Sequence, residues 1–394
     1  MKLLHTSDWH VGKAIRGISR ADEHRAVLAE IARVARDENV DVIVVAGDLF
    51  DTASPSPESE EIVYRALLDL AATEADVVVI AGNHDNARRL RAVAPILELG
   101  RVHLVAEPTR PDAGGVISLT ARDGAEVLIA TLPFVSKRGI VRAEHLIDGD
   151  AFVHAQEYSA RLRMLIDVLA GSFRADTVNV LAAHAFVLGA QSGGGERAAH
   201  LVEEYAVTAQ SFPATISYGA LGHLHRPQKI PAGAPLHYCG SPLQLDFGEA
   251  DQAKQVNVVT LEPGAPADVR PVPLTSGRPL RTLTGSLEQL RAAEVPDDAF
   301  LRVVVREAGR AGLAADVREM LGEGVVDVRV ESTAAPRTRR SVDMRSRSPR
   351  ELFDEYLALE GVADERIPAL FDELLDDAHE TGAGSGAGAG EAAP

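Results

Sequence analysis

Cysteine is all but missing: Cys239 is the single one in 394 residues. A lone cysteine excludes an internal disulfide framework and fits a reducing compartment. Cys239 itself is expected to be a small buried apolar residue. Long apolar runs are missing too. The opening Met1-Lys2-Leu3-Leu4-His5 breaks after two leucines and runs into Asp8 and His10. It lacks the apolar core of a secretory signal. No stretch approaches the ~20 apolar residues of a membrane span. The expectation is a cytoplasmic protein of bacterial type, with no membrane contact.

A basic excess is also absent. The formal net charge is −18, which on its face argues against a nucleic-acid binder. Its location softens that objection. Residues 351–394 hold twelve acidic side chains and one basic, Arg366, so −11 of the total lies there and −7 is left for residues 1–350. An acidic chain can still present a positive cleft. At 394 residues the chain is too long for one ordinary core, and two or three domains are expected.

What is present is a series of five motifs in fixed order. They are Asp8-x-His10, Gly47-Asp48, Gly82-Asn83-His84-Asp85, His184 and Gly222-His223-Leu224-His225. Each follows an apolar run. Residues 2–5, 41–46, 76–81, 127–132, 178–183 and 216–221 read as strands. Residues 21–38 and 59–72 carry apolar side chains at helical spacing between the first three. This alternation predicts stacked βαβ units. Ligands just past the carboxyl ends of strands are where open α/β sheets build their sites.

The residue types fit a centre of two divalent cations. Asp8 and His10 alternate, and in an extended segment both would project to one side. Asp48 has two oxygens and a compensating charge, which suits a bridge between two ions. Gly47 allows a sharp backbone turn beside them. Asn83 offers a neutral carbonyl, while His84 is expected to point towards the phosphate. His223 and His225 alternate, so that one reaches each ion. His184 is placed by order and by its strand end. The set is mixed oxygen and nitrogen with no thiolate. That disfavours structural zinc and suits Mn²⁺, with Mg²⁺, Fe and catalytic Zn²⁺ left open. Such a centre activates water against a phosphate ester. His84 would protonate the leaving oxygen or stabilise its charge, and Asp85 could orient His84.

Around Gly277 the texture changes, with prolines at 263, 266, 271, 273 and 279. Beyond them lies a small β-α-β-α-β pattern at residues 280–284, 287–293, 300–306, 313–321 and 325–331. Residues 336–350 hold six arginines and one aspartate. They read as a linker, or as a strip that contacts phosphate or a partner. Ser348-Pro349-Arg350-Glu351 is a capping box with proline at the first helical position. Two short amphipathic helices follow, with Pro368 tolerable only in the first turn of the second. The Gly/Ala-rich end, residues 379–394, reads as disordered.

These motifs resemble the calcineurin-like metallophosphoesterase superfamily, whose fold is a two-sheet α/β sandwich. Longer stretches resemble one branch, the bacterial SbcD-type nuclease subunits. They include His5-Thr6-Ser7-Asp8-Trp9-His10-Val11-Gly12, Leu221-Gly222-His223-Leu224-His225-Arg226-Pro227-Gln228 and Ser348-Pro349-Arg350-Glu351-Leu352-Phe353. The resemblance implies one cation on Asp8, His10, Asp48 and His225, and another on Asp48, Asn83, His184 and His223. It implies His84 as the catalytic histidine. It also implies an Mn²⁺-dependent nuclease acting on double-stranded DNA ends in recombination and repair. The activities would be 3′→5′ exonuclease and endonuclease, hairpins included. The partner would be an SbcC-like coiled-coil ATPase, with the chain a homodimer inside a heterotetramer. Residues 1–276 would be the nuclease domain and 277–335 a small α/β capping domain that touches DNA. Residues 336–350 would be the linker, and helices in 351–378 would dock the coiled coil.

One departure matters. Archaeal and eukaryotic relatives carry a histidine where Asp51 stands, so Asp51 is expected to orient neighbouring groups. Two rivals are weaker. A phosphoprotein phosphatase of this superfamily places arginine after Gly-Asp-x-x-Asp, where this chain has Thr52. An architectural DNA-end protein would have no need of an intact set of buried ligands. The glycine-rich stretch 189–195 lacks the lysine-serine ending of a P-loop, so ATP would enter through the partner.

Overall fold

The computed structural model describes residues 1–136, 158–196, 206–295 and 298–331. It also describes residues 350, 353, 354, 357, 367, 368, 370 and 371. The chain divides into two compact units, Met1–Ser332 and Thr333–Pro394. The arginine-rich stretch up to residue 349 and the tail at 379–394 lie outside the described residues.

Runs of β-branched side chains form the strands, because branching at Cβ suits a pleated, packed surface. Val42–Ala46 is buried along its whole length. So are Val178–His184 and Tyr218–Gly222. Such continuous burial needs cover on both faces, and the molecule supplies it. Two six-stranded sheets lie face to face. Leu3, Val42, Val44, Val78 and Ile80 of the first sheet pack against Val127, Ile129, Val178, Val180 and Tyr218 of the second. The outer face of the first sheet, with Leu4, Ile43, Val45 and Val77, lies under helices Ala21–Asp37 and Pro57–Ala71. The outer face of the second meets helix Tyr158–Ala170 through Leu162, Leu165 and Ile166. This is a two-sheet α/β sandwich.

Strand direction brings the motifs together. Lys2–Thr6, Val42–Ala46 and Asp76–Ile80 run parallel, with Thr6 beside Val45 and Ala46 beside Ile80. Glu126–Leu132, Val178–His184 and Tyr218–Gly222 also run parallel, with Gly222 beside His184. Each sheet therefore gathers its carboxyl ends on one rim. The two rims touch: His184 Nδ1 donates to the Ala46 carbonyl at 2.8 Å, and Phe134 N to the Ala81 carbonyl at 2.9 Å.

The proline cluster has a different meaning from the one its texture suggests. Pro271 and Pro273 lie within an edge strand, Asp268–Pro273, paired antiparallel with Gln255–Thr260. An edge position leaves outward N–H groups without a ladder role, so proline is tolerated there.

Three parallel strands, Leu280–Gly285, Phe300–Val305 and Val325–Val330, form a small third sheet. Helices Leu287–Arg291 and Leu313–Leu321 cover it around a core of Leu290, Leu301, Val303 and Val317. It belongs to the first compact unit. Ile15, Phe247, Leu280 and Phe300 form one apolar cluster. The Arg302 guanidinium lies 4.3 Å from the Phe247 ring centre. Asp327 binds Arg16 at 3.0 Å and Arg302 at 2.9 Å. In the second unit, Phe353 and Phe371 stack at 4.0 Å and Arg350 pairs with Asp354 at 2.9 Å. No helix among the described residues is long and apolar enough to cross a membrane.

Candidate metal centre

The first ligand pair is not presented by an extended segment. The strand ends at Thr6, and Asp8 and His10 have φ of 52° and 47°. Asp48 and His223 are left-handed too, at 52° and 104°. The expected simple alternation is thus replaced by strained loops. Neighbouring loops over-determine them, as such conformations require. Asp8 N donates to the Gly47 carbonyl at 2.9 Å, and His10 N to the Asp48 carbonyl at 3.0 Å. His223 N donates to Asp8 Oδ1 at 3.0 Å. Gly47, at φ 93°, is packed so close to the His184 ring that a Cβ there would overlap it.

All seven expected ligands come together. His10 Nε2 lies 3.1 Å from His225 Nε2. Asn83 Oδ1 lies 3.0 Å from His184 Nε2 and 2.8 Å from His223 Nδ1. Asp48 Oδ2 stands between the two groups, 3.5 Å from both His10 Nε2 and His184 Nε2. Candidate ligand clusters form on Asp8–His10–His225, on Asp8–Asp48–His184 and on His10–Asp48–His84. Asp8, His10, Asp48, His184, His223 and His225 are all buried.

These spacings test whether cations fit. Ligand atoms bonded to one ion at about 2.1 Å sit about 3.0–3.4 Å from each other at octahedral or tetrahedral angles. The observed separations of 2.8–3.5 Å match. The far nitrogens of two rings are turned outward, His184 Nδ1 to Ala46 O and His225 Nδ1 to Glu249 at 2.9 Å. Their Nε2 atoms therefore face the centre. Two imidazole nitrogens 3.1 Å apart must share a proton or a cation, and the buried carboxylates of Asp8 and Asp48 balance a divalent one.

Electrostatics point the same way. Burial pushes Asp8 up to about 6 and pulls His10 down to about 4. For His184, burial acts downward, but the Asp48 carboxylate outweighs it and carries the ring to about 9. Burial likewise pushes Asp85 up to about 7, with Asp48 adding to it. Burial thus disfavours the charged forms of Asp8, His10 and Asp85, while Asp48 favours that of His184.

His84, Asp85 and Asp51 lie beside this set. His84 Nδ1 donates to the Asp51 carbonyl at 2.7 Å, and its backbone N–H donates to Asp48 Oδ1 at 2.8 Å. Its ring meets that of His10 edge-on at 4.5 Å. Asp85 does not bond the His84 ring. Its carboxylate accepts the N–H groups of Leu49, Phe50 and Gly82 at 3.2, 3.1 and 2.8 Å. It ties the Asp48 loop to the Asn83 loop, and so acts on His84 through the backbone. The Asp51 carboxylate faces Lys13 at 3.2 Å and His10 Nδ1 at 3.6 Å.

Sequence patterns missed three residues that support His225. Glu196 accepts its N–H at 3.0 Å, Glu249 faces its Nδ1, and Lys254 binds Glu249 at 2.7 Å. None lies in a recognisable motif. Cys239 is buried, as expected.

Residues 1–227 match the family model for calcineurin-like phosphoesterases. The SbcD component of the SbcCD nuclease from Bacillus subtilis is 33% identical over 393 residues, spanning 96% of this chain and 99% of that one. The chain belongs to the SbcD family of calcineurin-like phosphoesterases. The components of the same name from Rhodobacter capsulatus and Escherichia coli K12 are 34% and 29% identical. They cover 78% and 95% of this chain, and 80% and 98% of theirs. The chain is accordingly a hydrolase of the metallophosphoesterase kind, with candidate metal-binding clusters of His and Asp.

Proposed function

We propose that this chain is the nuclease component of an SbcCD-type complex and cleaves DNA ends at a two-cation centre. The observation that carries the reading is the meeting of Asp8, His10, Asp48, Asn83, His184, His223 and His225 on facing strand rims, in a chain of this family. Asp8, His10, Asp48 and His225 hold one cation. Asp48, Asn83, His184 and His223 hold the other. Bound there, two divalent cations supply Lewis acidity towards a phosphodiester and make water a nucleophile at neutral pH. The mixed oxygen and nitrogen set favours Mn²⁺.

The protein's own groups do the rest. Asp48 keeps the two ligand sets in one frame. Held through Nδ1–H by the Asp51 carbonyl, the His84 ring would exchange a proton with the leaving oxygen. Asp85 and Asp51 fix the loops that carry His84 and His10. Exonuclease action from 3′ ends, endonuclease action and hairpin opening are the activities we assign. The small sheet between Leu280 and Val330 is the DNA-contacting cap, and the segment 351–378, most of it outside the described residues, docks the coiled-coil ATPase.

The test is digestion of linear duplex DNA, with free and with blocked ends, in Mn²⁺. It is run with and without the co-purified coiled-coil ATPase, beside a phosphopeptide. Shortened duplex and an untouched phosphopeptide are expected. Phosphopeptide turnover without DNA cleavage would overturn the reading.

A homodimer would draw on exposed apolar side chains of helices Pro57–Ala71 and Ala87–Leu97 and the turn after the second. Leu68, Ile96 and Leu99 are 45%, 70% and 90% exposed, and Leu68 lies against Gly100. A second copy of this chain covers that face. Changing Ile96 and Leu99 together to aspartate should give a monomer in light scattering, with thermal stability kept. A double variant that stays dimeric would move the interface elsewhere.

A further inference from the structure

His225 is backed in a way that its counterpart across the centre is not. Its Nδ1 faces Oε1 of Glu249 at 2.9 Å. Glu249 has no exposed surface. Its Oε2 accepts from Lys254 Nζ at 2.7 Å and from Leu245 N at 3.0 Å. Lys254 is buried as well, and also donates to Ser241 Oγ at 2.9 Å and to the His225 carbonyl at 3.0 Å. A buried ion pair is a poor source of stability. Well-packed apolar residues of the same volume do as well or better. The pair therefore calls for another reason.

Its geometry supplies one. A carboxylate on Nδ1–H fixes the tautomer, aims the Nε2 lone pair and raises its basicity. Lys254 and the Leu245 amide hold Glu249 in place for that role. On the other side of the centre, His184 leans on a neutral carbonyl, that of Ala46, and Asn83 is itself neutral. Asp48 is shared, and Asp8, within reach of His225 and of His184 alike, is assigned to the His225 side. The carboxylate behind the His225 imidazole adds a second difference of the same sign.

We propose that Glu249 is a positioning residue that acts through His225, making the Asp8–His10–His225 side of the centre the tighter cation site and the first to fill. The inference rests on the two-cation reading above. Asn83, His184 and His223 then form the looser site.

The full chain is titrated with Mn²⁺ alone, and bound ion is followed by calorimetry and by the free-ion electron paramagnetic resonance signal. Two classes of site are expected in the wild type. Glu249→Gln should weaken the tight class by about 10- to 100-fold and leave the loose class within about twofold. That variant leaves the buried Lys254 charge with neutral acceptors alone and is open to misfolding. The E249Q/K254M double variant removes both charges and should fold, with the same selective loss. N83A should weaken the loose class only. Two ions in the wild type, with the tight class unchanged in both Glu249 variants, would overturn the proposal alone. Equal weakening of both classes in the double variant would overturn it too. A single ion in the wild type would bring down the two-cation reading and this inference with it.

Discussion

Asp48→Asn is expected to abolish the thermal stabilisation that Mn²⁺ gives, and DNA cleavage with it. Asp48 is the carboxylate that stands between the two ligand sets, with Oδ2 3.5 Å from His10 and from His184. Burial disfavours its charge, yet His184 and the other histidines hold it ionised well below the usual carboxylate range. Asparagine keeps an oxygen for the His84 N–H, which Asp48 Oδ1 now accepts at 2.8 Å. The loop therefore keeps its shape while the centre loses its shared negative charge. Removing one partner from a dry charged site costs about 3–5 kcal/mol, which is about 10²- to 10⁴-fold in rate if it falls on the transition state. Ligand linkage gives the second readout. At a concentration about 100 times its dissociation constant, a ligand that binds only the folded state adds about 2.7 kcal/mol of stability. The wild type should show that rise in melting temperature with Mn²⁺, and the variant should not. A variant that folds, by circular dichroism, and still shows both the rise and cleavage would contradict a bridging Asp48.

Much of this was legible in the chain. Val42–Ala46, Asp76–Ile80 and Val178–His184 are short runs rich in valine, which length and β-branching mark as buried strands, and each ends at a motif. Helical spacing placed Ala21–Asp37 and Pro57–Ala71 to within two residues. The less legible parts have physical causes. The edge strands Gln228–Ile230 and Asp268–Pro273 are short or exposed, so no run of buried residues marks them. The left-handed backbone at Asp8, His10 and Asp48 is imposed by contacts between loops far apart in sequence, such as Asp8 with Gly47. Residue type does not announce it. Glu249 and Lys254 lie more than twenty residues beyond the last motif, in a stretch with no period, and only folding brings them to His225. The ligand types could be read from sequence. Their orientation is set by partners that could not.

His84→Gln should separate binding from chemistry. His84 lies close enough to His10 and Asp48 for a ring nitrogen to count as a candidate ligand, so its role must be decided by what is lost. As a proton donor it contributes only while the bond to the leaving oxygen breaks, and such groups typically supply about 10²- to 10⁴-fold. Glutamine can still donate a hydrogen bond from its amide, and the backbone N–H to Asp48 is untouched. The variant should bind duplex DNA and two Mn²⁺ ions with affinities near those of the wild type. Cleavage should fall by that factor at every substrate concentration, as a loss in kcat with KM held. Were His84 a ligand instead, the Mn²⁺ stoichiometry would drop and extra Mn²⁺ would restore part of the rate. A substrate with a better leaving group sharpens the distinction. An activated aryl phosphodiester needs little protonation of its departing oxygen, so His84→Gln should harm its hydrolysis much less than that of DNA. Equal losses on both substrates would take the general-acid role away from His84 and leave it as a group that steadies charge on the phosphate.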